Sequence, residues 1–237
     1  LLRDVNLYDK RPYVGNKVLV IGGGNSAMDA ARVSLRLGAK EVWVYYRRTR
    51  KEMPATPSEV KAAEAEGVKF EFLVAPSKIL DGQKDKVKIE FVRMRLGTPD
   101  ASGRAHPEPI PGSEFVVEAD TVIKAIGQVV VVPQGFKLNL DKRGRIVANS
   151  ETLETSRPGV FAGGDAVLGP SSVVESIATG RKAASAIDKY LGGSGLPEPE
   201  LKLEYVSRAI PEEVLEMKKI HPQELPVELR VKGFDEV

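Results

Sequence analysis

Residues 18–21, Val-Leu-Val-Ile, form an unbroken apolar run that stops at three glycines. Such a run predicts a strand buried on both faces of a parallel sheet. From Asn25 to Leu37 the period changes to that of a helix. Ala27, Ala30, Ala31 and Leu35 share one face, Asp29, Arg32 and Arg36 the other, and Gly38 marks the end. Val42 to Tyr46 reads as a second strand, completing a βαβ unit. Thr56, Pro57 and Glu59 predict a short helix opened by a capping box and closed by Gly67. Val68 to Val74 then alternates as one strand. Lys86 to Arg95 alternates too, with a change of phase between Phe91 and Val92 that predicts a bulge. The turn-rich stretch "LGTPDASGRAHPEPIPGSE", 96–114, is the expected tip of an antiparallel meander. "DTVIKAIGQ", Asp120 to Gln128, is a further apolar strand ending at Gly127.

The second half repeats the strand-to-helix theme once. Arg145 to Val147 predicts a short strand. Val160 to Ala162 predicts another, running into Gly163, Gly164 and Asp165. Ser172 and Glu175 form a second expected capping box, opening a helix from Val173 to Leu191 with Gly192 behind it. Gly180 inside that helix costs about 1 kcal/mol relative to alanine, which implies that a backbone or a ligand approaches it closely. The stretch from Pro197 to Val237 has several prolines and mixed charge. Pro211 to Ile220 could form one short helix, and the stretch as a whole is expected to pack along its parent protein or, as a free segment, to be disordered.

The glycine turn carries the first candidate chemistry. Gly22, Gly24 and Ala27 are spaced Gly-x-Gly-x-x-Ala, enclosing Gly23, Asn25 and Ser26. The first glycine permits a tight turn, the second lets backbone approach a pyrophosphate, and the small third residue lets helix and strand pack closely. The free N–H groups and positive end of the following helix favour an anion. The motif alone is weak, since a tight turn without a ligand reads the same way. Its setting between two strands and a helix favours a dinucleotide. An NAD-selective domain usually ends its second strand in Asp or Glu, which holds the ribose 2′-OH. Here the strand runs into Arg47 and Arg48, with no carboxylate before Glu52. Two arginines there suit a 2′-phosphate and hence NADP(H); the alternative is a solvated basic turn. Gly127 would let the chain pass close to a ligand or simply turn. Asp165, beside exposed backbone, suits a chain of sugar-like hydroxyls.

Composition narrows the classes. The 237 residues can hold one large domain or two small ones. A net charge of +2 gives no bulk electrostatic case for nucleic acid or membrane surfaces. No apolar run approaches the roughly 18 residues a membrane span needs. The first 15 residues carry no secretory h-region, so a cytoplasmic location is expected. With no cysteine, disulfides, a catalytic thiol and a cysteine-held metal cluster are excluded within this chain. His106 and His221 each precede proline and read as solvated loop residues; no metal site is expected.

The segments "VIGGGNSAMDAAR", "YRRTRKEMPA", "LGTPDASGRAHPEPIPGSEF", "ADTVIKAIGQ" and "TSRPGVFAGGDAVLGPSSVVESIATGRKAA" together resemble the small (beta) subunit of glutamate synthase and its relatives, including part of dihydropyrimidine dehydrogenase. The resemblance covers about residues 1–192 in the family's order. It implies an α/β fold: a Rossmann-like NADP(H) domain with a parallel sheet and an antiparallel meander, inserted into an FAD domain. On that pattern, 1–13 is a linker, 14–130 the NADP(H) domain, 131–192 the second segment of the FAD domain and 193–237 an extension. The resemblance implies that Gly22 to Ala27 line the NADPH pyrophosphate and that Arg47 and Arg48 take the 2′-phosphate. Gly127 and Gln128 would lie near the nicotinamide. Gly164 and Asp165 would bind the ribityl-phosphate region of FAD, and backbone at Ser172 and Val173 would face the flavin pyrimidine.

Two departures qualify the resemblance. The family's FAD domain opens with its own Gly-x-Gly-x-x-Gly loop, and no second such loop occurs here. Relatives also carry cysteine-ligated iron–sulfur clusters upstream. The expectation is therefore a fragment, natural or engineered, or a split protein, whose partner is the missing FAD and iron–sulfur segment or an electron-transfer subunit. Three readings stay open: part of an enzyme passing hydride from NADPH to FAD, an NADP(H)-binding module without catalysis of its own, and an interaction protein on a worn scaffold that binds no nucleotide. The cofactors supply the chemistry in the first, so no catalytic acid or base is expected.

Overall fold

The computed structural model describes residues 1–80, 86–99, 103–196 and 223–234 of the chain. These fall into two compact units, one of residues 1–126 with 223–234, the other of residues 127–196. The expected helix at 211–220 and His221 lie outside the described residues.

The first unit is built on a parallel sheet of four strands: β1 (Lys17–Ile21), β2 (Glu41–Tyr46), β3 (Lys69–Phe72) and β8 (Thr121–Lys124), in the order β3-β2-β1-β8. Val18 pairs with Val42 on one side and Thr121 on the other. Asp120 fixes the start of this pairing, because its Oδ2 accepts the backbone N–H groups of Asn16 and Lys17, both at 2.8 Å. Residues 1–13 are not only a linker: helix α1 (Leu2–Tyr8) lies there, and Leu1 and Leu2 pack against the core.

The apolar run of β1 is buried on both faces, and each face meets a different layer. Val18 and Val20 pack with Met28, Ala30 and Ala31 of α2 (Asn25–Arg36) and Val60 and Ala63 of α3 (Pro57–Ala65). Leu19 faces the other way, into a cluster with Tyr45, Val74, Ile89, Phe91 and Ala119. That second layer is an antiparallel sheet made by β4 (Val74–Leu80), β5 (Val87–Pro99), β6 (Ala105–Pro109) and β7 (Phe115–Ala119). Its β5–β6 pairing is the meander tip expected from the turn-rich stretch.

Three local expectations are corrected. The stretch 68–74 is not one strand. Leu73 adopts φ 56°, which ends β3 and starts β4 in the other sheet. The register does not shift between Phe91 and Val92: it shifts opposite them, between Pro76 and Lys78 on β4, and again between Leu96 and Pro99 further along β5. Ser77 fills the gap, its hydroxyl donating to Glu90 O and Oε1. The Thr56–Glu59 capping box does not form, because Arg32 of α2 takes the Glu59 carboxylate at 2.8 Å. A cation competes for an acceptor more strongly than a neutral backbone N–H does.

The last described stretch returns to the first unit. In helix α6 (Val227–Arg230), the Arg230 side chain is 6% exposed and lies 3.8 Å from Glu66. Arg11 stacks over the Phe234 ring at 4.1 Å.

The second unit has little core of its own. Its long helix α5 (Val173–Tyr190) opens with the expected box, Ser172 and Glu175 bonding reciprocally. Short antiparallel bridges, Leu140–Ile146, Ala148–Thr155 and Glu154–Phe161, replace the two expected strands. Among the described residues of this unit only Leu153 and Gly169 are buried, while Val173, Val174 and Ile177 of α5 are largely exposed. A side chain at Gly180 would meet nothing within 4 Å, so the expected close approach is absent among the described residues.

Candidate functional site

The glycine turn sits where β1 ends. Gly22 adopts φ 149°, and a Cβ there would lie 2.2 Å from the carbonyl oxygen of Ala125, at the end of β8. A Cβ at Gly23 would lie 2.5 Å from the ring of Tyr46, the last residue of β2. Gly22 and Gly23 are thus wedged between two neighbouring strand ends, with room there only for backbone.

Gly24 is the N-cap of α2 and offers no side-chain cap. Where Ser, Thr, Asp or Asn would accept first-turn N–H groups, glycine leaves them to an outside acceptor. Asn25 could have served, but its Oδ1 accepts the N–H of Thr56 at 2.9 Å. Ala55 N–H also donates to Gly23 O at 3.0 Å, and Pro54 lies 3.9 Å from the Cβ position of Gly24. Residues 54–56 therefore border the turn. Ser26 is exposed at the first turn, and Ala27 is fully buried beneath it. A helix start with uncovered N–H groups beside a side-chain-free turn fits a phosphate.

The two arginines after β2 are separated by burial. Arg47 is exposed. Arg48 is 3% exposed, and its Nε donates to the backbone oxygen of Ala105, at the start of β6, at 2.7 Å. Both lie in the bend after β2, where strand alternation has ended, and there Arg47 stays open while Arg48 turns to the antiparallel layer. Behind them Thr49 and Glu52 close a capping box on the 3₁₀ turn Arg50–Glu52. Hydrogen bonds from Thr49 hold the Glu52 carboxyl below its ordinary range. The Tyr46 hydroxyl donates to Glu52 O at 2.8 Å. Arg50 pairs with Glu64 of α3.

In the second unit Gly164 precedes helix α4 (Asp165–Leu168), and its N–H donates to Thr179 Oγ1 of α5 at 2.9 Å. Asp165 Oδ1 accepts both the N–H and the hydroxyl of Ser171. Gly164, Asp165, Ser172 and Val173 are therefore gathered around the start of α5. Gly127 and Gln128 are exposed, at the first two positions of this unit. The sequence reading missed Tyr46, Pro54, Ala55 and the Thr49–Glu52 box. The last was legible as Thr-x-x-Glu; the others depend on contacts across the sheet.

This arrangement defines a dinucleotide-binding α/β domain. Residues 3–181 match the family model described as pyridine nucleotide-disulphide oxidoreductase, and the chain belongs to that family. It is 48% identical, over its whole length, to the NADP(+)-dependent formate dehydrogenase subunit beta of Moorella thermoacetica, covering 35% of that protein. Three quarters of it, 75%, is 44% identical to the glutamate synthase [NADPH] small chain of Escherichia coli, covering 39% of that protein. The chain thus spans between a third and two fifths of these curated relatives. Mycobacterium tuberculosis FprA in complex with NADPH shares the fold, with a TM-score of 0.59 at 20% identity over 80% of this chain and 57% of FprA. Among the described residues, no helix is long and apolar enough to cross a membrane.

Proposed function

We propose that this chain is the NADPH-binding part of a flavoprotein oxidoreductase, similar in role to the glutamate synthase small chain and the NADP-dependent beta subunits it resembles. The observation that carries the reading is the uncapped start of α2 beside Gly22–Gly24, with exposed Arg47 following β2. The N–H groups of Asn25 and Ser26 would hold the pyrophosphate, and Arg47 would bind the 2′-phosphate by charge-assisted hydrogen bonds. When bound, NADPH and FAD would supply the hydride-transfer chemistry. The chain's own work is to position these groups and to set the charge around them. In the second unit Gly164 and Asp165 hold the ribityl-phosphate region, and backbone at Ser172 and Val173 borders the flavin ring. Gly127 and Gln128 serve the nicotinamide side. Electrons pass on to a partner domain or subunit.

A second reading is that the chain alone binds NADP(H) without catalysis. The near absence of buried residues among the described residues of the second unit favours it, since a flavin site built on so little core needs a covering segment. Absorbance of the purified chain separates the two: a retained flavin spectrum favours the first, a colourless protein that still binds NADPH the second. Calorimetric titration with NADPH and NADH tests the shared claim. Arg47→Ala is expected to weaken NADPH binding by about 1.5–3 kcal/mol and to leave NADH unchanged; equal losses for both would sink it.

A further inference from the structure

We propose that Arg48 is a positioning residue for the 2′-phosphate: it braces the end of β2 against the antiparallel sheet so that Arg47 is presented in one fixed place. The inference rests on the NADPH reading above. It assigns the second arginine a different task from contact with the ligand.

The brace is made by both parts of Arg48. Its side chain is buried, and Nε donates to Ala105 O at 2.7 Å. Its own carbonyl accepts the N–H of Leu73 at 3.1 Å. Leu73 is the left-handed residue between β3 and β4, and its carbonyl in turn accepts the N–H of Met94 on β5 at 2.7 Å. One residue thereby joins the end of β2, the crossing between the two sheets and the first residue of β6. A buried guanidinium keeps that place only while its acceptors stay in place.

Arg47 lies between two fixed neighbours. On one side, Tyr46 is held by its hydroxyl bond to Glu52 O and by its contact with Gly23. On the other is Arg48. Beyond that, Thr49 and Glu52 close their reciprocal cap. The backbone of Arg47 is thus flanked on both sides by bonded residues while its side chain is exposed. A cation held in this way loses little further freedom when it meets a phosphate, and that difference appears as affinity. Contacts on the rest of the dinucleotide do not depend on Arg47, so the effect is confined to the ligand that carries the 2′-phosphate.

The test uses the full 237-residue chain with Arg47→Ala, Arg48→Met and the double variant. Each is titrated with NADPH and with NADH, and its thermal midpoint is recorded. Arg48→Met keeps the buried stem and removes the donors. It is expected to lower the preference for NADPH over NADH by about tenfold, the scale of coupling between residues in one network, with the Kd for NADH unchanged. The double variant is expected to show no smaller preference than Arg47→Ala alone, because Arg48 acts through Arg47. Arg48→Lys restores one donor and the charge, and is expected to recover part of the preference. It also provides the measurement if the methionine variant does not fold. A lowered melting point with the preference intact would overturn the proposal and leave Arg48 a structural brace only. A further additive loss in the double variant would also overturn it, by showing that Arg48 touches the phosphate itself. A wild-type chain that binds NADPH no better than NADH would instead overturn the cofactor reading, and this inference with it.

Discussion

Arg32 and Glu66 form a two-point bridge, with Nε and Nη2 of the arginine donating to the carboxylate at 3.1 and 2.8 Å. The Glu66 side chain is fully buried at the end of α3, and Arg36 donates to it as well. The helix that opens at the glycine turn is therefore clamped at its far end through charge.

Glu66→Gln is expected to destabilise the chain by about 3–5 kcal/mol, the usual result of removing one partner from a buried ion pair. The variant leaves Arg32, Arg36 and Arg230 facing a neutral group. Urea unfolding followed by the fluorescence of Trp43, the single tryptophan, measures the difference.

The same carboxylate sets an acid limit. Burial pushes the Glu66 pKa up, but the hydrogen bonds and charges of Arg32 and Arg36 outweigh it and hold the group below its ordinary 4.5. A lowered folded-state pKa gives stability that is fully present above the unfolded value and lost as pH falls through the folded one. Wild-type stability should therefore drop as pH falls below about 4.5. The drop should be smaller in Glu66→Gln. Unfolding free energies at several pH values between neutral and acid check the slope.

Gly23→Ala places a methyl group against the Tyr46 ring. Overpacking of this kind costs about 1–3 kcal/mol, and the displaced tyrosine would disturb its bond to Glu52. Trimming the ring in Gly23→Ala/Tyr46→Leu should return part of the lost stability. A double-mutant cycle with a clearly non-additive result is the expected outcome.

Gly180→Ala should stabilise α5 by about 1 kcal/mol, since alanine is the better helix former and the added methyl meets nothing within 4 Å. Chemical denaturation of the variant beside the parent measures it. A loss of stability would mean that another surface covers Gly180 in solution.

The parts of this fold that depend on short spacing were readable from the residues. The buried run before Gly22, the uncapped helix after it and the Ser172–Glu175 box are decided within a few positions. The antiparallel layer was foreseen as a meander because its turn residues announce it. What escaped depends on contacts between distant segments. Nothing local in "VKFEFLV" shows that Leu73 turns left-handed. That conformation is stabilised by bonds to Arg48, just past β2, and to Met94 on β5. Arg47 and Arg48 look alike in sequence, and only the position of β6 separates their environments. Glu59 could cap its own helix, but Arg32 reaches it first. Arg230 gave no signal, because its partner Glu66 lies far back along the chain.

The docking of residues 223–234 onto the first unit has a consequence for the order of synthesis. Helix α2 and Glu66 leave the ribosome before the second unit, while Arg230 and Phe234 follow roughly 100 residues after Ile126. At ordinary elongation rates that is a delay of roughly 5–20 s. During that interval the Glu66 cluster stands without its third arginine, and Arg11 without its aromatic cover. The dinucleotide unit is thus begun before residues 127–196 are made and completed only after them.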